Sequence, residues 1–384
     1  LYCGVKQDHS KLDLSLIVSD RPAAAAGVYT KNLVFAASVG RNRSITPCSD
    51  VRAVVINSGN ANACTGQRGD EDAEHISQSV ANLIGCSSRQ VLGLSTGVIG
   101  VFLPLEKIQA GIVRLATELG RDDAALERAA RGMMTTDTVP KIASRTLSLG
   151  GQTATIAGVA KGAAMIGPNM ATMLSVVFTD VALDPQRAQE WLSAAVDRSF
   201  NCISVDGHMS TNDTVLLLAN GAAVNGPPQG PYAETFRTAL NEVCTELAKA
   251  IPTDGEGATH LVTIELSGAS SQQAAHRLAK SVAESPLVKT AIAGADPNWG
   301  RIVSALGYAG VEFDPAQVAL DVNGHRLFEA GAPVSFNAAT VSAAIRDQRD
   351  TLIRLTVGQG PGQIRFWTTD LTAEYVRLNA DYTT

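Results

Sequence analysis

Segments with helical periodicity and short β-branched runs take turns along all 384 residues, an order that only layered α/β architectures accommodate. Residues 51–57 read as a buried strand and 69–84 as an amphipathic helix with acidic residues in its first turn. Residues 104–119 form a second predicted helix, with Pro104 suited to its first position and Gly120 to its end. Asp184-Pro185 is a start signal, a capping carboxylate followed by a residue whose φ already fits a helix, and that helix runs to about Arg198. Helices are also expected over 232–250 and 271–283. Strands are expected over 91–95, 173–181, 215–219, 262–267, 351–357 and 363–368, where Val, Leu, Ile and Thr lie between turn-rich borders.

Charge and cysteine usage exclude several function classes. The chain carries 31 Lys and Arg against 37 Asp and Glu, net −6, with no basic cluster, so no nucleic-acid or anionic-membrane partner is expected. No apolar run approaches the roughly 20 residues that span a bilayer. Cys3, Cys48, Cys64, Cys86, Cys202 and Cys244 are scattered without a CxxC pair, which reads as reduced thiols in a cytoplasmic setting. The chain begins at Leu1 and its first ten residues carry no secretory signal; an organellar targeting peptide ahead of them is left open.

Most chemistry-bearing signatures are missing. There is no HExxH or Walker loop, and the six histidines are too far apart in sequence to suggest a metal site. His208, near Asp206, reads as a loop histidine. The glycine-rich stretch 358–362 lies between two strands and reads as a hairpin turn. The stretch 57–66 (NSGNANACTG) joins a strand to a helix and is either a tight turn using Asn and Gly or an anion cradle. Cys64 within it has no evident base.

The segment 161–180 (KGAAMIGPNMATMLSVVFTD) is different, because a Gly-Pro-Asn turn leads into a threonine that opens an apolar strand. A threonine hydroxyl can attack the carbonyl before it, shift the acyl group from nitrogen to oxygen, and release a new N-terminus on hydrolysis. Thr172 would then hold a hydroxyl and a free α-amine, whose reference pKa of about 7.7–8.0 leaves a useful neutral fraction near neutrality. Such an amine can serve as the base for its own hydroxyl.

The sequence resembles the ornithine acetyltransferase (glutamate N-acetyltransferase) family over essentially its whole length. The resemblance rests on 57–66, 95–100 (STGVIG), 133–141 (MMTTDTVPK), the segment around Thr172, 210–214 (STNDT), 254–259 (DGEGAT), 296–301 (DPNWGR) and the tail from Asn379 to Thr384. His208 is a departure, standing where Asp or another small polar residue is expected.

By resemblance the fold is a multilayer α/β sandwich of the self-processing N-terminal-threonine type with a smaller second domain. The resemblance implies cleavage between Ala171 and Thr172, giving fragments 1–171 and 172–384 around an approximate structural split after residue 268. It implies Thr172 as nucleophile, Thr96 and Gly97 as oxyanion donors, and Thr135, Lys161, Thr172, Glu256, Asn379 and Thr384 as substrate contacts. Acetyl would pass from N-acetylornithine to glutamate in arginine biosynthesis, with no metal or organic cofactor, in an α2β2 assembly of the two fragments. Lys161 suits a substrate carboxylate and Glu256 an ornithine ammonium; how the same pocket takes glutamate stays open. So do a bifunctional form that also uses acetyl-CoA, a related self-processing amidase or aminopeptidase, and a self-cleaved binding protein without turnover.

Overall fold

The structure is a computed structural model that describes residues 1–167, 173–224 and 226–381. It divides into two compact units: Leu1–Asn201 with His208–Ile251, and Cys202–Gly207 with the chain from Pro252 onward.

The first unit holds strands β1 (Leu14–Tyr29), β2 (Cys48–Asn60), β3 (Val91–Val98), β4 (Lys141–Leu149), β5 (Gln152–Lys161), β6 (Leu174–Val181) and β7 (Thr214–Val224). Its helices are α1 (Ala37–Ile45), α2 (Gly66–Ile84), α3 (Leu105–Leu115), α4 (Asp123–Met133), α5 (Pro185–Arg198) and α6 (Pro231–Thr253). The strands form one sheet in the order β3-β2-β1-β7-β6-β5-β4.

Strand β1 serves both halves of this sheet. Leu14–Val18 pairs with β2, and the stretch from Ala24 to Tyr29 pairs with β7, with register irregularities between Val18 and Ala25. Pro22 falls in that break, where its missing N–H leaves no ladder position unfilled. The two halves share one core: Val54, Ile56, Leu92 and Leu94 of β2 and β3 cluster with Val159, Leu174, Val176, Leu216 and Leu218 of β5–β7. The outer face of β1 and β2 is covered by α2 and α3 through Ile76, Val80, Ile108 and Ile112. Strand β2 is thus buried on both faces, which explains its unbroken apolar run.

Capping starts α5 as the sequence predicts, whereas α2 begins at Gly66, so the acidic residues expected in its first turn lie beyond it. The Asp184 carboxylate accepts the Arg187 N–H at 2.8 Å and Pro185 occupies the first turn of α5. Helix α3 is shorter than expected: Pro104 is its cap rather than its first residue, and the helix ends at Leu115 instead of 119.

The second unit contains β8 (Leu261–Gly268), β9 (Ala319–Val322), β10 (His325–Glu329), β11 (Ala332–Pro333), β12 (Asp350–Thr356) and β13 (Gly360–Thr369). Helices α7 (Gln272–Glu284), α8 (Pro286–Ala293), α9 (Trp299–Gly307), α10 (Ala338–Arg346) and α11 (Ala373–Asp381) accompany them. The sheet order is β11-β10-β9-β12-β8-β13.

Two expectations change here. Strand β8 lies between β12 and β13, parallel to the first and antiparallel to the second, so 358–362 crosses over β8 and is not a hairpin turn. The same ladders make β8 an inner strand of this sheet. The boundary therefore falls after Ile251, not after residue 268. Among the described residues no helix is long and apolar enough to cross a membrane.

Candidate functional site

In the first unit, the folded-over sheet brings the end of β3 to the end of β5. Thr96 and Lys161 are both buried, 3% and 2% exposed, and the Lys161 ammonium donates to the Thr96 hydroxyl at 3.3 Å. Lys161 also pairs across the ladder with Leu174, two residues beyond Thr172 in the sequence. Gly97 has φ +132°, and a Cβ there would fall 2.3 Å from the Gly59 carbonyl carbon and 2.4 Å from the Asn60 nitrogen. Only glycine allows β2 and β3 to approach this closely.

Asp137, which carries no role in the sequence reading, organises the rest. Its carboxylate accepts the Lys141 ammonium at 2.7 Å, the Gly162 N–H at 2.6 Å and the Thr135 N–H at 3.0 Å. Burial alone would raise this carboxyl; the Lys161 and Lys141 charges, with the Lys141 and Gly162 hydrogen bonds, overcome that and hold it down at about 2. Thr135, Lys161 and Thr96 are thereby joined through one buried carboxylate. Lys141 and Lys161 thus bring two ammoniums to one end of this sheet. Lys6 lies close enough to feel both Lys161 and Asp137, and burial pushes its ammonium down to about 8. The one sequence signal for Asp137 was its place in 133–141, four residues before Lys141.

The asparagine-rich stretch ends β2 at Asn60 and then turns tightly into α2. Asn62 and Cys64 take positive φ, 48° and 59°. Asn57 accepts the Ser95 hydroxyl at 2.6 Å and donates to Asn60 O, while Asn60 donates to Val101 O and Phe102 O. Asn62 donates to Gly69 O and accepts the Thr65 hydroxyl. Asn212 joins the turn to β3 by donating to Ala61 O and Ser95 O, each at 2.7 Å. These amides hold the chain to itself, and nothing in their arrangement supports an anion cradle. His208 is exposed, as expected of a loop histidine.

In the second unit, Glu256 accepts the Asn379 amide at 2.9 Å. Helix α11 is fastened to the 254–259 loop by the Thr372 hydroxyl, which donates to Gly257 O at 2.7 Å. Asp206 accepts the Tyr375 hydroxyl at 3.1 Å. The Asp370 carboxylate accepts the N–H groups of Thr259 and His260 at 2.9 and 3.1 Å. Ala171, Thr172 and Thr384 lie outside the described residues. Among the described residues no cluster of His, Cys, Asp and Glu could hold a metal ion.

A model of the ArgJ family matches residues 1–384. "Arginine biosynthesis bifunctional protein ArgJ" of Rhodopirellula baltica is 47% identical over 99% of this chain and 93% of its own length. The protein of the same name from Geobacter sulfurreducens is 48% identical over 97% of this chain and 95% of its own. A crystal structure of the Bacillus halodurans arginine biosynthesis bifunctional protein argJ is similar at 40% identity and a TM-score of 0.51, covering 53% of this chain and 96% of the solved one. Identity at this level along nearly the whole length leaves one assignment: the chain belongs to the ArgJ family, acyltransferases of arginine biosynthesis.

Proposed function

We propose that the chain cuts itself between Ala171 and Thr172 and that Thr172 then carries acetyl from N-acetylornithine to glutamate, releasing ornithine and N-acetylglutamate. The observation that carries this reading is the buried Lys161–Thr96 contact beside Gly97, on a strand whose Lys161 pairs with Leu174. The Thr96 hydroxyl and the Gly97 N–H would stabilise the oxyanion formed each time Thr172 is acylated or deacylated. The buried Lys161 ammonium would hold the carboxylate that both amino acids share. Thr135, Glu256, Asn379 and Thr384 would complete substrate recognition, and the fold would be the self-processing N-terminal-threonine sandwich, assembled as α2β2.

The size of the Bacillus halodurans chain supports a cut precursor. It is 96% covered by only 53% of the present chain, so it is little more than half as long, as one fragment would be. The relatives' shared word "bifunctional" supports a second activity, and we infer acetyl-CoA as the alternative acetyl donor.

Denaturing electrophoresis and intact mass should show two fragments, the second beginning Thr-Met-Leu-Ser. Thr172→Ala should stay a single chain and lose transfer; a fully active, uncut wild type would end the reading. Acetylglutamate and free acetate, measured after adding acetylornithine with glutamate, separate a transferase from an amidase. Glutamate with acetyl-CoA tests the second donor.

A further inference from the structure

Asp213 precedes β7 and is fully buried, at 0% exposure. One carboxyl oxygen, Oδ1, accepts the Met173 N–H at 3.2 Å. The other, Oδ2, is buried and has no hydrogen-bond partner among the described residues. The next residue, Thr214, donates its N–H to Met173 O at 3.1 Å. Residues 213 and 214 therefore hold both the N–H and the C=O of the residue that follows Thr172.

Burial drives the Asp213 carboxyl well above the usual carboxylate range, and the Met173 N–H offsets only part of this. Leaving a buried polar atom unsatisfied costs stability. Local rules broken without a gain in stability occur most often at functional positions.

We propose that Asp213 is a positioning residue for self-cleavage, fixing the chain on the C-terminal side of the Ala171–Thr172 bond through the Met173 peptide. The proposal rests on the reading of Thr172 as nucleophile. In that step the Thr172 Oγ–carbonyl bond forms and the Ala171–Thr172 amide bond breaks. The hydroxyl proton goes to the departing nitrogen, and water then hydrolyses the ester to free the Ala171 carboxyl. Asp213 exchanges no bond in this sequence. Its effect is on geometry, and displacements near 1 Å in a reacting pair can cost about 10²-fold in rate.

The test follows cleavage over time by intact mass in freshly synthesised wild type, Thr172→Ala, Asp213→Asn and Asp213→Ala, with far-ultraviolet circular dichroism and melting as folding checks. Asp213→Asn keeps an acceptor for the Met173 N–H and should cut within about threefold of wild type; Asp213→Ala should be slower by about tenfold or more. Asp213→Val, apolar and without an acceptor, replaces the alanine variant if that fails to fold. Loss of cutting in folded Asp213→Asn, or wild-type cutting in folded Asp213→Ala or Asp213→Val, overturns the proposal. A wild type that stays uncut defeats the Thr172 reading instead, so the two failures are distinct.

Discussion

A buried carboxylate set between two buried ammoniums, as Asp137 is between Lys141 and Lys161, is costly to desolvate and costlier to break. Held at about 2 when folded, against roughly 3.9 when unfolded, Asp137 contributes stability that is complete above about pH 4. That contribution is lost as pH falls through about 2, and a shift of this size corresponds to about 2–3 kcal/mol. Asp137→Asn should therefore cost about 3 kcal/mol in urea unfolding near pH 7, with the cost shrinking between about pH 4 and 2. A cost independent of pH would show that the carboxylate charge is not what joins the site. Thr96 tests the chemistry at the same scale. Thr96→Ala should lower kcat for acetyl transfer by about 10²–10³ with the melting temperature nearly unchanged, while Thr96→Ser retains most activity. Thr96 and Lys161 were legible in the sequence because their segments resemble a family. Asp137 and Asp213 were not, because an aspartate in a polar stretch looks solvated until the fold buries it.

At the scale of elements, legibility followed β-propensity and capping. The Val- and Leu-rich strands β2, β3, β6 and β7 stand out, as does α5 with its Asp-Pro start. Strand β1 does not, because its second half is largely Ala and Gly, poor strand formers held in place by β2 and β7 on either side. The Ala-, Gly- and Thr-rich β5 was missed for the same reason. The glycine turn at 358–362 was misread because a turn between two strands gives no hint that a third strand lies between them. Helix α11 shows how an element can depend on one loop glycine. Gly257 has φ +66°, and a Cβ there would meet the Tyr375 nitrogen at 2.5 Å. Gly257→Ala should destabilise the second unit by about 1–3 kcal/mol. It should also speed amide hydrogen exchange across α11, the helix that carries Asn379; unchanged exchange there would mean that the contact does not seat the helix.

For the whole molecule, the position of the proposed cut within the sheet matters more than the cut itself. Fragment 1–171 would contribute β1–β5 and fragment 172–384 would contribute β6 and β7, which sit between β1 and β5. Two ladders then join the fragments, Ala24–Tyr29 of β1 with β7, and Ile156–Lys161 of β5 with β6. The shared core draws Val159 from one fragment and Leu174, Val176, Leu216 and Leu218 from the other. Neither fragment can bury its apolar surface or satisfy its strand edges alone. Cleavage should therefore leave both pieces bound in equal amounts, co-eluting in size exclusion without denaturant. In urea they should separate in the same transition that unfolds the sheet, as followed by circular dichroism. Dilution of urea-separated fragments should restore little activity unless both are present together. Separation of the fragments at urea concentrations that leave the sheet's dichroism intact would show that these two ladders and their common core are not what hold the cut enzyme together.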